Sequence, residues 1–247
     1  MSAAPLRVRA AGATDVGVVR DHNEDDHVVG ERVFVVADGM GGHAAGEVAS
    51  RLVVETFAGL DAAAATGPED VAAAVAEANR RILASAAEHP ERAGMGTTAT
   101  GLVLVADAVP ARWVVLNVGD SRVYRLAGDG LRQLTTDHSE VRKLLEAGLI
   151  DEDELSTHPL RNVITRSVGL EPAPEPDLWE RDAEPGETFV VCSDGLTNEL
   201  GDDDLERLLR ENPDPQDAAD ALVAAAVQAG GRDNVTVVVV TVDGAGS

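Results

Sequence analysis

The chain has 247 residues, and 20 Lys+Arg against 44 Asp+Glu give a formal net charge of −24. That balance repels a phosphate backbone, no basic cluster offsets it, and three Phe, two Trp and one Tyr leave little to stack on bases, so nucleic acid is excluded as a partner. No run approaches about 18 uninterrupted apolar residues, and the N-terminus "MSAAPLRVRA" has no apolar signal core, so a soluble cytoplasmic protein is expected.

The first strand-like runs lie at 6–14 and 32–37. Residues 44–59 follow a glycine-rich turn and read as a helix, and 68–88 read as a second, opened by Pro68 with acidic residues behind it. Strands are expected at 98–107, 112–118 and 121–126, joined by "AVP" near 108–110 and by Gly119–Asp120, both links short enough for hairpins. Residues 138–168 are polar and irregular, with one short helix-like stretch, "SEVRKLLEAG", and read equally as a flap over a site or as an ordinary insertion. The Pro-rich segment 171–187 reads as a surface loop. A strand at 187–193 carries the single Cys192, read as a small buried hydrophobe. Helices at about 202–211 and 215–229, stopped by Gly230–Gly231, precede the strongest strand, 234–242. Strands and helices come in blocks, not in strict alternation, which favours antiparallel sheets with helices outside, an α+β layered architecture. With no internal repeat, residues 1–247 read as one domain, and a monomer is expected.

Carboxylates recur at the ends of the apolar runs. In "VFVVADGMGGHAAG" Asp38 closes a run and Gly39, Gly41 and Gly42 follow; taken alone, this is a turn with a capping aspartate. "FVVCSDGL" repeats the design with Asp194, "VVLNVGDSR" with Asp120, and "GGRDNVTVVVV" sets Asp233 just before its strand. Because neighbouring antiparallel strands start and end side by side, all four aspartates can gather at one edge of the sheets. Carboxylates so gathered repel one another, and a hard divalent cation such as magnesium or manganese removes the repulsion. Histidine and cysteine are scarce in these motifs, which argues against zinc. Two such ions activate water for attack on phosphorus. Upstream, "RDHNEDD" adds Arg20, whose planar fork suits phosphate oxygens, and the acidic Glu24, Asp25 and Asp26.

In order along the chain, "GVVRDHNED", "VVADGMGGHAAGEVAS", "GTTAT", "VGDSRVYRL", "LTTDHS", "TRSVG", "CSDGL" and "RDNVTVVVV" resemble the metal-dependent protein phosphatase family, also called PP2C or PPM, in its bacterial branch. The resemblance implies a four-layer α-β-β-α sandwich of two mostly antiparallel sheets flanked by helices. It implies hydrolysis of phosphoserine and phosphothreonine in proteins, countering Ser/Thr kinases, by a metal-activated water and without a covalent phosphoenzyme. It also implies two manganese or magnesium ions and a weaker third one. Carried over by motif position, Asp38 bridges two metals with the Gly39 carbonyl as a further ligand, Asp194 and Asp233 hold one metal, and Glu24 supports the other directly or through water. Asp120 with Asp194 binds the third metal, Arg20 holds the substrate phosphate, and 138–168 is the flap. Animal members place a candidate general acid, histidine, where Met40 stands here, so the proton donor is left among His43, metal-bound water and solvent. His22, His27, His89, His138 and His158 are expected to be structural or surface groups. Two other readings stay open: a phosphatase of small phosphomonoesters, and a non-catalytic binding member of the family.

Overall fold

The computed structural model describes residues 6–41, 45–62, 67–106, 108, 110–155 and 157–243. In chain order the first strands are β1 (Arg7–Asp15), β2 (Asp25–Val29), β3 (Val33–Met40), β4 (Gly96–Thr97), β5 (Ala99–Val105) and β6 (Arg112–Val118). They are followed by β7 (Arg122–Ala127), β8 (Gly130–Gln133), β9 (Asp177–Asp182), β10 (Thr188–Cys192) and β11 (Val235–Asp243). The helices are α1 (Ala45–Ala62), α2 (Pro68–Glu88), α3 (Glu140–Glu146), α4 (Asp194–Thr197), α5 (Asp202–Glu211) and α6 (Pro215–Ala229). One sheet runs β1-β11-β10-β7-β8; the other runs β2-β3-β5-β6-β9, with β4 paired on β3. The pairings within both sheets are antiparallel.

Side-chain alternation explains the layering. On β3, Val33, Val35 and Ala37 pack with Ala49, Val53 and Phe57 of α1 and Val75 and Ile82 of α2. Phe34 and Val36, on the opposite face, meet Val123, Phe189, Val191, Val238 and Val240 of the other sheet. On β11 the alternate residues Val235, Val237 and Val239 pack beneath Leu205 and Leu209 of α5 and Leu222 of α6. Strand β11 is therefore rich in valine on both faces, interrupted only by Thr236 and Thr241 before its terminal Asp243, because it is covered on both sides. The result is an α-β-β-α sandwich. Three of the six aromatics meet at its centre, where Trp113 lies edge-on to Phe34 at 6.1 Å and to Phe189 at 5.5 Å. Cys192 is fully buried, as a small hydrophobe would be. Among the described residues no helix is long and apolar enough to cross a membrane.

Two expectations are corrected. The link at Gly119–Asp120 is not a hairpin: β6 pairs with β5 and β9, β7 pairs with β10 and β8, so the chain crosses from one sheet to the other there. Turn-forming residues give the tightness of a reversal but not the sheet that the next strand joins. The segment 171–187 is not all surface loop, because Asp177–Asp182 forms β9, the edge of its sheet beside β6. Its polar "DLWERD" carries no apolar run, since an edge strand has one side in water. Strands β2 and β8, edge strands too, were not expected from the sequence.

Candidate metal centre

The aspartates meet at one end of the two sheets. Asp38 lies on the β3 face that carries Phe34 and Val36, and so continues the seam between sheets towards its open end. Its register partner across the β2–β3 ladder is Asp25. Asp233 precedes β11, Asp194 opens α4 immediately after β10, and Asp120 sits at the crossover from β6 to β7. Burial, then repulsion from Asp25, Asp194, Asp120 and Asp233 in that order, pushes the Asp38 carboxyl well above the usual carboxylate range. Burial, followed by repulsion from Asp194, raises Asp120 to about 8, and burial followed by repulsion from Asp233 raises Asp194. One buried oxygen of Asp120, Oδ1, has no hydrogen-bond partner.

Glu24 and Arg20 arrive on the loop between β1 and β2. The Glu24 carboxyl, raised mainly by burial, accepts the backbone N–H of Gly46 at the start of α1. The Arg20 guanidinium donates to Asp233 Oδ2 at 2.7 Å, supplying that carboxylate with a cation. Gly39 has a steric reason to be glycine: a Cβ there would lie 2.3 Å from the Gly46 carbonyl oxygen and 2.4 Å from that of Glu24. Gly195, beside Asp194, would put a Cβ 2.0 Å from the Asn234 carbonyl oxygen, so its role is close packing of α4 on β11.

Asp25, one of three consecutive acidic residues offered by the sequence, and two residues given no role there, Ser193 and Asn234, complete the site. Asp25 is 9% exposed and takes the Ser193 hydroxyl at 2.7 Å, so it ties β2 to β10 across the seam. Burial, against these hydrogen bonds, raises it to about 7. Asn234 uses its whole amide: Oδ1 accepts the Glu24 N–H at 2.8 Å, and Nδ2 donates to the carbonyls of Val16 and His22, both at 3.0 Å. One side chain thus holds the loop that presents Arg20 and Glu24. The sequence signal for Asp25 is the alternation of "DDHVV", where Asp25 and His27 share a face once β2 is read as a strand; Ser193 and Asn234 stand inside the quoted "CSDGL" and "RDNVTVVVV" stretches, beside the aspartates.

The segment 138–168 is pinned at its base by bridges Ser139–Ile164 and Thr97–Val168. Between it and the aspartates lies a cavity of about 380 Å³ whose lining includes Asp120, Asp194, Asp137, Arg122, Arg142 and Arg161. His43, the candidate proton donor, lies outside the described residues, as do Gly42 and Ala44. The chemistry of this donor set fits hard cations: carboxylate oxygens, several raised by burial and by one another, and one orphaned buried oxygen. Among the described residues no three Asp, Glu, His or Cys side chains close on one point as a complete ligand set. Backbone carbonyls and water would then complete each shell, as is usual for magnesium.

The family model described as "Protein phosphatase 2C" matches residues 19–224, which spans every one of these groups except Asp233 and Asn234. The chain belongs to the protein phosphatase 2C family. It is 38% identical over 244 residues to the serine/threonine protein phosphatase PstP of Mycobacterium tuberculosis, covering 98% of this chain and 46% of that protein. It is 37% identical over 238 residues to the serine/threonine phosphatase stp of Listeria innocua, covering 92% and 93%. This phosphatase 2C chain also superposes, with a TM-score of 0.87 and 38% identity, on the crystal structure of the catalytic domain of PstP in complex with two manganese ions, covering 96% of one chain and 99% of the other.

Proposed function

We propose that the chain hydrolyses phosphoserine and phosphothreonine in proteins, acting on the products of Ser/Thr kinases. The observation that carries this reading is the convergence of Asp38, Asp25, Asp120 and Asp194 with the partly exposed Asp233, whose mutual repulsion divalent cations would relieve. Manganese in the PstP catalytic domain supports manganese or magnesium here. Asp38 and the Gly39 carbonyl, Asp194 and Asp233, and Glu24 would hold two ions, and Asp120 with Asp194 a weaker third. When bound, such ions supply Lewis-acid stabilisation and a water acidic enough to attack phosphorus at neutral pH.

The chain's own residues do the rest. Arg20, half-exposed at the rim, turns its fork to the phosphate oxygens and can leave Asp233 as that carboxylate is neutralised. Asn234 keeps Arg20 and Glu24 in register with Asp233. The segment 138–168 covers the cavity and meets the polypeptide that flanks the phosphorylated residue. The leaving alcohol takes its proton from His43 or from water.

The test is hydrolysis of a phosphothreonine peptide. Turnover stops in EDTA and returns with Mn²⁺; sustained turnover in EDTA, or none with any divalent ion, contradicts the proposal. A far higher kcat/KM on small phosphomonoesters than on phosphopeptides would move the substrate class away from proteins.

A further inference from the structure

His138, in the "LTTDHS" stretch, is 8% exposed and makes contacts that point to one task. Its ring Nδ1 accepts the Gly119 N–H at 3.0 Å, and its backbone N–H donates to the Gly119 carbonyl at 2.9 Å. One residue therefore satisfies both backbone groups of Gly119, the residue before Asp120. Gly119 is held at φ +115, and a Cβ there would lie 2.5 Å from the Thr98 side chain, so the crossover has little room to adopt another shape. Because Nδ1 accepts, the proton sits on Nε2, which donates to Asp177 Oδ2 at 3.1 Å. Asp177 also takes the Arg166 guanidinium at 2.5 Å. Against burial, these hydrogen bonds from His138 and Arg166 keep Asp177 below the usual carboxylate range, charged and able to hold the tautomer.

The residues of this chain of contacts lie at both feet of the 138–168 segment. His138 begins it, Arg166 ends it, and the His138 carbonyl accepts the Thr165 N–H at 2.7 Å. Asp177 opens β9 and pairs with Asn117 of β6, whose amide donates to the Gly119 carbonyl at 3.1 Å.

We infer that His138 is a positioning residue, with Asp177 fixing its tautomer: together they clamp Gly119 so that the Asp120 carboxylate is held in ligand position, and they tie that position to the closed base of the 138–168 segment. Asp177→Asn acts on the same clamp, because its amide can donate to Nε2 and drive the proton to Nδ1, where it opposes the Gly119 N–H.

The inference rests on the metal reading of Asp120, and its test separates the two. Three readouts are taken: the imidazole nitrogen shifts of His138, hydrogen exchange of the Gly119 amide, and calorimetric titration with Mn²⁺ alone. The unmodified protein should show the Nε2–H tautomer and a protected Gly119 amide, neither of which needs metal. His138→Phe keeps the ring but has no acceptor. It should release the Gly119 amide and weaken the weakest manganese step by about tenfold, the worth of one buried hydrogen bond. His138→Asn, whose Oδ1 stands where Nδ1 stood, should restore that step to within about twofold of the unmodified protein, a rescue that a bulk packing role would not give. Asp177→Asn, half-exposed and safe for folding, should mix the tautomers and speed Gly119 exchange. An Nδ1–H tautomer in the unmodified protein, or equal manganese affinity for the Phe and Asn variants, overturns the inference. Absence of any manganese step in the unmodified protein, with the tautomer and protection as stated, removes the metal reading instead and leaves the clamp.

Discussion

At the scale of single residues, Asp38 carries the most. It repels four other aspartates at the sheet ends and is held well above its ordinary range by burial and by them. Asp38→Asn removes that charge at nearly constant shape, with two opposite consequences. Turnover should fall by roughly two to three orders of magnitude, the several kcal/mol that a bridging carboxylate contributes through its metals. The metal-free protein should instead melt a few degrees higher, since relief of about 1 kcal/mol shifts a domain of this size by about 2–4 °C. Loss of activity together with a lower melting temperature in EDTA would mean that Asp38 is structural. The sequence made Asp38, Asp194 and Asp233 visible because each stands where an apolar run starts or stops. Asp25 was hidden among three consecutive acidic residues, and only its pairing opposite Asp38 distinguishes it from Asp26.

At the scale of elements, the site depends on side chains that join one segment to another. Asn234 on the rim of β11 holds three backbone groups of the β1–β2 loop. Asn234→Ala leaves a part-buried N–H and two carbonyls without their protein partner. That should cost about 1–2 kcal/mol in chemical denaturation, and KM for phosphopeptide should rise more than kcat falls, because Arg20 loses its support. Unchanged stability would show that water replaces the amide. Strands with both faces covered, such as β11 and β5, were legible as apolar runs, and the helices by their start and stop signals: Pro68 opens α2 and Gly230 caps the end of α6. Edge strands β2, β8 and β9 were not, because solvent on one side removes the pattern. The crossover at Gly119–Asp120 looked like a hairpin for a related reason: β6 and β7 each pair with a strand far off in sequence, β9 at 177–182 and β10 at 188–192.

At the scale of the whole molecule, the excess of acidic residues and the site pull the same way. Asp25 and Asp120 titrate near 7 and 8 in the folded chain against an ordinary 3.8, and Asp38 and Asp194 are raised too. A raised carboxyl binds more protons folded than unfolded, so its contribution to stability is complete below about pH 4 and is lost as pH rises through the folded value. His27 and His138 are lowered by burial and act in the opposite sense, but only below their ordinary 6.5. Between pH 6.5 and 8.5 the aspartates act without that opposition. The metal-free melting temperature should therefore fall across that window, and Mn²⁺ should flatten the slope; a melting temperature that rises with pH in EDTA would contradict the shifts.

The central claim is that these strand-end carboxylates form one metal centre, and calorimetric titration of the metal-free protein with Mn²⁺ at pH 7, repeated in buffers of different ionisation enthalpy, tests it most directly. At least two ions should bind per chain, protons should be released because Asp25 and Asp120 give up theirs, and Asp38→Asn should abolish the tight step. Absence of binding heat, or tight binding with no proton release that Asp38→Asn leaves untouched, would contradict it.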